Sequence, residues 1–380
     1  MKKSLSLYVH IPFCKSKCNY CAFVSSVATD GEKNAYTDAL IKEIKLKSKK
    51  YGAGAEVGTI YLGGGTPSCL PDGAIKQIMH TIYLNYIVRN DAEITIEINP
   101  NSLTENKVKE YLEVGINRFS VGLQAANDKL LKLIGRSHTV QDFKDTINLL
   151  KDYGATNISS DIMLGLPTET TTDVTNAINL MTGLGVKHIS AYILSVEEGT
   201  NFYKLNKAGL LNLPPEREVI KQYNACYAAL KKHGFTRYEF SNFAMDGYKS
   251  KHNRVYWNRK EYLGFGVGAH SFINKQRMAN TDNVSEYEAF INRSEIPLAF
   301  KETIGDDEAK EEMVMLSLRL SEGLDLTKYQ IEFGASLLAE KKDEVSALVK
   351  EKFLILDKNN HLKATDKGFM VMDRIITLLT

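Results

Sequence analysis

Tryptophan is nearly missing from this sequence: one in 380 residues, at position 257. Prolines number eight and cysteines five. No apolar run approaches the ~18 residues that a membrane-spanning helix needs, so no membrane span is expected. Neither sign of charge prevails, since 48 Lys and Arg face 46 Asp and Glu and leave a net +2. That balance gives no electrostatic argument for a nucleic-acid partner. The opening MKKSLSLYVHIPFC has two lysines and then apolar residues, as a signal peptide does. However, His10 and Pro12 interrupt the run and no small-x-small cleavage site follows, so the reading is a cytoplasmic protein. In a reducing compartment, few cysteines favour metal binding over disulfides.

The remaining composition is that of a globular protein, 43% hydrophobic and 25% charged. The length allows a large core and suggests more than one domain. The lysine-rich KEIKLKSKK (42–50) reads as the solvated face of a helix. Cys69 and Cys226 have no ligand spacing and read as small buried apolar residues.

Cys14, Cys18 and Cys21 crowd into CKSKCNYC. A disulfide would strand one thiol. Zinc would lack a fourth ligand unless His10 or a distant residue supplied it. A four-iron, four-sulfur cluster takes one thiolate per iron, and three cysteines then leave one iron open.

β-Branched runs alternate with helical stretches over the first two hundred residues. Strands are expected at LSLYVHI (5–11), TIYLG (59–63), ITIEI (94–98), RFSVGLQ (118–124), NISSDIML (157–164) and HISAYIL (188–194). Amphipathic helices such as 33–50 and 72–87 separate them. This alternation predicts an α/β fold, a partial (β/α)6 barrel of parallel strands. Pro12, Pro67, Pro100 and Pro167 mark strand ends, because proline cannot continue a ladder. Period-two alternation puts Thr95, Glu97 and Asn99 on one face of their strand, Ser120, Gly122 and Gln124 on another, and Ser159 with Asp161 on a third. Those polar faces need a polar ligand or one another.

The motifs LYVHIPFCKSKCNYCAF, YLGGGTP, EINP, RFSVGLQ, IGRSH, DIMLGLP and HNRVYWNRKEYLGFGVGAHSF follow one another in an order that resembles the HemN/HemW family of radical S-adenosylmethionine (SAM) proteins. The resemblance runs from about residue 5 to 375. It implies a 4Fe-4S cluster on Cys14, Cys18 and Cys21, whose open iron is chelated by SAM. It implies SAM contacts from Tyr8, Tyr20, Gly64, Gly65, Thr66, Glu97, Gln124, Arg136 and Asp161, with the glycine run near the methionine amino group. Arg136 suits the methionine carboxylate as a charge-assisted partner.

The family holds an oxygen-independent coproporphyrinogen dehydrogenase branch and a haem-chaperone (HemW) branch. The dehydrogenase signature extends to a fourth cysteine, where Phe23 stands here, and its first strand is preceded by a longer segment. Both departures count against coproporphyrinogen turnover, and HNRVYW (252–257) matches the chaperone motif H-N-x-x-Y-W. The resemblance therefore implies haem, a haem-acceptor protein and a reductant for the cluster as partners, with no catalytic residue assigned. His252 is the expected axial haem ligand; His10, His138 and His270 are the other histidines weighed. The expected domains are a radical SAM core barrel over 1–235, an extension bearing HNxxYW over 236–300, and a C-terminal winged-helix-like α+β domain over 301–380.

Overall fold

Val, Ile and Leu alternating with polar residues make strands, and threonines at helix starts decide where the helices between them begin. The computed structural model describes residues 4–52 and 54–380. Its first six strands are β1 (Ser4–Ile11), β2 (Glu56–Gly64), β3 (Ile87–Ile98), β4 (Arg118–Gln124), β5 (Ile158–Leu164) and β6 (His188–Ile193). They lie side by side in chain order, each parallel to the next. Helices Asp30–Tyr51, Ala74–Asn85, Glu105–Glu113, Val140–Asp152 and Thr171–Gly183 cross between them. Thr29, Thr139 and Thr170 start three of these with a capping box, satisfying backbone donors that would otherwise be orphaned. A singly wound parallel sheet curls with its helices outside, which is the expected partial (β/α)6 barrel. Ile94, Ile96 and Ile98 are buried among the apolar core, as are Phe119, Val121 and Leu123.

The sheet continues beyond the six expected strands. β7 (Thr236–Arg237) and β8 (Asn242–Ala244) form a short hairpin, and β8 pairs antiparallel with β6. After the helix Lys251–Trp257, β9 (Tyr262–Phe265) adds parallel to β1 on the far side. β10 (His270–Ile273), β11 (Gln276–Asn280) and β12 (Leu298–Thr303) then extend it antiparallel. These strands are too short, and too rich in glycine around 264–268, for alternation to announce them.

The lysine-rich stretch departs from expectation. Lys45, Lys49 and Lys50 are exposed, but Glu43 and Lys47 are buried and paired at 2.7 Å. Glu43 accepts from Gly266 N, Asn280 Nδ2 and Tyr287 Oη, while Lys47 Nζ donates to Gly264 O and Asn280 Oδ1. A buried pair survives when its remaining hydrogen-bonding capacity is filled, as here. The helix thus carries an ionic spine that pins the β9–β11 extension to the barrel.

Residues 306–379 build a second core. Helices Asp306–Leu318, Leu326–Phe333, Lys342–Lys350 and Met372–Leu379 pack on a three-stranded sheet of β13 (Leu324–Asp325), β14 (Leu354–Leu356) and β15 (His361–Ala364), in the order β13-β15-β14. Helix Lys342–Lys350, the β14–β15 hairpin and helix Met372–Leu379 follow one another, an order that suits the expected winged-helix-like α+β domain. Ion pairs Arg254–Glu322 (2.7 Å), Arg259–Glu312 (2.9 Å) and Arg237–Asp366 (2.6 Å) tie it to the segment after the barrel.

Candidate cofactor site

A cavity of about 540 Å³ occupies the C-terminal rim of the barrel. The three thiols enter it from the loop after β1, and local hydrogen bonds fix that loop. Cys14 N donates to Ser26 O and Ser26 N to Pro12 O, closing its two ends together. Asn19 anchors the middle: its backbone N and Nδ2 donate to Ile134 O and Leu133 O, and its own O accepts from Phe202 N. Cys14, Cys18 and Cys21 therefore face one space along a braced loop.

Two side chains from other loops reach the thiols. Thr66 Oγ1 lies 3.6 Å from Cys14 Sγ, and Arg136 Nη1 donates to Cys18 Sγ at 3.8 Å. Arg136 Nη2 also donates to Gly122 O, and its Nε reaches His138 Nδ1. The charge stands between the thiol loop and β4, where an anionic group would be met.

Gly64 and Gly65 have separate reasons to be glycine. Gly64 has φ +113°, and a Cβ there would press on the His10 ring at 2.5 Å. A Cβ on Gly65 would meet Ile11 O, Phe13 N and Phe13 O within 2.9 Å. Gly65 N donates to Ile11 O and Thr66 N to Phe13 O, so this run is stitched to the residues just before Cys14.

The polar strand faces converge as their alternation implies. Thr95, Glu97, Asn99, Ser120, Gly122, Gln124, Ser159 and Asp161 all line the cavity. Glu97 Oε1 accepts from Tyr61 Oη at 2.7 Å and its Oε2 from Gly64 N at 3.1 Å. Burial pushes the Glu97 carboxyl up to about 7; the Tyr61 hydrogen bond opposes that and nearby Asp161 adds to it. Burial also raises Asp161, against hydrogen bonds from Ser190 and Ser120. Thr95 Oγ1, Asn99 Oδ1 and His188 Nδ1 belong to residues lining the same cavity and are buried polar atoms with no partner among the described residues. A packed barrel leaves such atoms where a polar ligand completes them.

Two expected contacts lie elsewhere. Tyr8 is not among the cavity residues; it shares a 3.0 Å hydrogen bond with His10 Nδ1 and stacks behind Tyr61. His252 is 1% exposed. Its Nδ1 bonds Thr59 Oγ1 at 2.7 Å and its Nε2 bonds Tyr256 Oη at 2.8 Å. Both ring nitrogens are thus engaged within the protein, and a haem iron would have to displace one of these bonds. His10 and His138 are likewise bonded at both nitrogens. Of the four histidines weighed, His270 is the one whose ring is exposed. Cys69 also departs from expectation: it is half-buried and lines a second cavity of about 280 Å³ with Cys14, Lys15, Lys33 and Lys107. Cys226 is buried among apolar residues as expected.

The comparisons with known proteins meet this geometry. Residues 8–181 match the Radical SAM superfamily, and residues 305–371 match the HemN C-terminal domain. A protein of Bacillus subtilis named heme chaperone HemW is 35% identical over 87% of this chain and 88% of its own length. Its namesake in Lactococcus lactis is 33% identical over 97% of this chain and 95% of its own. The chain belongs to the HemW family of radical SAM proteins. Its fold matches that of the Escherichia coli coproporphyrinogen III oxidase HemN, with a TM-score of 0.87 at 23% identity over 100% of this chain and 90% of that one.

The residues fit the cofactors of that superfamily, a 4Fe-4S cluster and SAM. Among the described residues, no three His, Cys, Asp or Glu side chains are gathered as ligands of one metal ion. A 4Fe-4S cluster takes each thiolate on its own iron, and the braced loop brings three thiols to one cavity. The unpartnered polar atoms and the Arg136 guanidinium supply the donors and acceptors that an amino acid and a nucleoside require.

Sequence reasoning missed several lining residues, namely Tyr61, Arg118, His188, Ser190, Tyr192, Ser250 and Asn253. Tyr61 carried a signal, since Thr59, Tyr61 and Gly63 share a strand face opposite Ile60 and Leu62. Ser250 and Asn253 carried none, because their approach to the cavity depends on where a distant helix docks.

Proposed function

We propose that this protein is a haem chaperone that binds haem and passes it to an acceptor protein. The observation that carries this reading is the near full-length similarity to proteins named heme chaperone HemW. Phe23 agrees with it: where a dehydrogenase signature would hold a fourth cysteine, an apolar ring stands 69% exposed at the cavity. An exposed aromatic there suits contact with a flat apolar ligand and no further iron.

In this reading Cys14, Cys18 and Cys21 hold the cluster. Tyr20, Gly64, Gly65, Thr66, Glu97, Gln124, Arg136 and Asp161 surround SAM, and Tyr8 supports them from behind Tyr61. Cluster and SAM together supply one-electron reductive chemistry when bound. Arg136 takes the methionine carboxylate as a charge-assisted partner. The Gly64–Thr66 run keeps the loop after β1 against β2, so the thiols and the SAM cradle move as one body. A reductant for the cluster and a cytoplasmic location complete the reading. Among the described residues, no helix is long and apolar enough to cross a membrane.

Haem iron takes an imidazole, thiolate, thioether or phenolate ligand, and exposed His270 offers the first. Anaerobically reconstituted protein titrated with haem should develop a saturable Soret band. It should convert little or no coproporphyrinogen to protoporphyrinogen in the presence of SAM and a reductant. The haem spectrum should change in His270→Ala and not in His252→Ala. An unchanged spectrum in His270→Ala rejects that ligand, and robust SAM-dependent oxidation of coproporphyrinogen overturns the chaperone reading.

A further inference from the structure

The H-N-x-x-Y-W segment is built into the wall behind the SAM cradle. Its helix, Lys251–Trp257, starts on the Ser250 cap, and Glu93 of β3 accepts from Lys251 N (3.0 Å) and His252 N (2.9 Å). Those bonds fix His252 before its ring makes any contact. The ring then bridges Thr59 on β2 and Tyr256 one turn along its own helix. Its face stacks on Tyr61, with centroids 5.2 Å apart and planes 29° from parallel. Tyr8 stacks on Tyr61 as well, at 6.3 Å and 28°. A phenol so held has no freedom to swing, and its hydroxyl donates to Glu97 Oε1. Glu97 is thereby turned so that its other oxygen accepts from Gly64 N, within the glycine run.

We propose that His252 is a positioning residue of the SAM cradle: through its stack on Tyr61 it aims the Glu97 carboxylate at the methionine ammonium of SAM. This deepens the reading above and rests on it. The motif then serves the cofactor through Tyr61 and leaves haem ligation to another group. Asn253 and Ser250 of the same segment reach the cavity directly. Arg254 binds Glu322 of the C-terminal unit at 2.7 Å, so one short helix touches both the cradle and residues 306–379.

The ammonium needs an ionised partner, so pH reports on the arrangement. The titratable groups acting on Glu97 are Tyr61, Asp161, Tyr8, Tyr192 and Tyr256. Burial holds those tyrosines protonated, and burial depresses His252 to about 3, so it stays neutral. Asp161 is the one carboxyl among them. Tyr61 Oη donates to the ionised Glu97, and losing that bond moves its titration upward.

The test is SAM affinity of the reconstituted protein by equilibrium dialysis between pH 5.5 and 8.5, with iron content measured alongside. Tyr61→Phe keeps the ring stack and loses only the hydroxyl. It should weaken binding by roughly ten- to a hundredfold, the worth of a hydrogen bond to a charged group. It should also shift the pH at which affinity falls to a higher value. His252→Phe keeps an aromatic face without the two fixing bonds, and should shift the midpoint in the same direction by less. Both should retain wild-type iron. A midpoint unmoved in both variants overturns the assignment, whether or not affinity falls. Absence of SAM binding by the wild-type protein would reject the cofactor reading itself.

Discussion

Gln124 closes β4 with φ +69°, in the left-handed region that costs a side chain bearing Cβ about 1 kcal/mol. The β4–β5 register slips between Gly122 and Gln124, and the slip directs the amide into the cavity. Gly122 permits it, since a Cβ there would meet Gln124 Nε2 at 2.9 Å. Strain held at a ligand-facing residue implies that stability and binding respond oppositely. Gln124→Gly should leave the thermal midpoint of the cofactor-free protein unchanged or raise it, while SAM affinity falls about tenfold. A lower midpoint together with unchanged affinity would make the residue structural. Gly65 shows the converse. Its neighbours are backbone atoms of Ile11 and Phe13, so a larger residue there disturbs the cluster loop along with the SAM cradle.

At the scale of elements, the helix Asp30–Tyr51 decides whether the extension stays attached. Its outward lysines are interchangeable surface, but Lys47 and Glu43 are closed inside against β9 and β11. Lys47→Met leaves a buried carboxylate without its cation. Breaking one side of such a pair costs roughly 3–5 kcal/mol, whereas an exposed neighbour is worth less than about 0.5 kcal/mol. Chemical denaturation should therefore separate Lys47→Met from Lys45→Met by most of that difference. Similar midpoints for the two would show that the helix packs without its ionic spine.

The whole molecule stores several buried carboxyls away from their ordinary titration range. Burial raises Glu97 and Glu239 to about 7 and Glu169 to about 8. Glu169 caps the turn after β5 by accepting from Leu166 N, beside buried Gln222. Glu239 accepts from Ser241 N and Asn242 Nδ2. In the unfolded chain all three ionise near 4.5, so the folded state binds more protons between that pH and 7 to 8. Stability from these groups is thus full below about 4.5 and declines as pH rises to 7–8. His138, lowered to about 4, and His252, lowered to about 3, work in the opposite direction. Their stabilisation is complete above an unfolded value near 6.5 and is lost as pH falls below it. Between pH 6.5 and 8 the carboxyls act alone. The cofactor-free protein should lose stability across that window, with Glu169 contributing roughly 2 kcal/mol. Glu169→Gln should flatten the slope of the unfolding free energy against pH. An equal slope in the variant would mean that Glu169 ionises normally in the fold.

Alternation of side chains is a property of a few neighbouring residues, so six parallel strands and their polar faces could be read from sequence. Thr95 with Glu97, Ser120 with Gly122, and Ser159 with Asp161 had to point together, because a period of two leaves no other choice. Cysteine spacing is equally local, and it placed the thiols in one loop at the rim. What a side chain is joined to depends on distant segments, and that only the tertiary structure decided. Lys47 is buried because Gly264 and Asn280 come back to it. Cys69 lies among lysines because Lys15, Lys33 and Lys107 arrive from three separate stretches. His252 had the sequence of a haem ligand, yet Thr59 and Tyr256 occupy both its nitrogens. A free lone pair is a fact about neighbours in space, and no spacing along the chain encodes it.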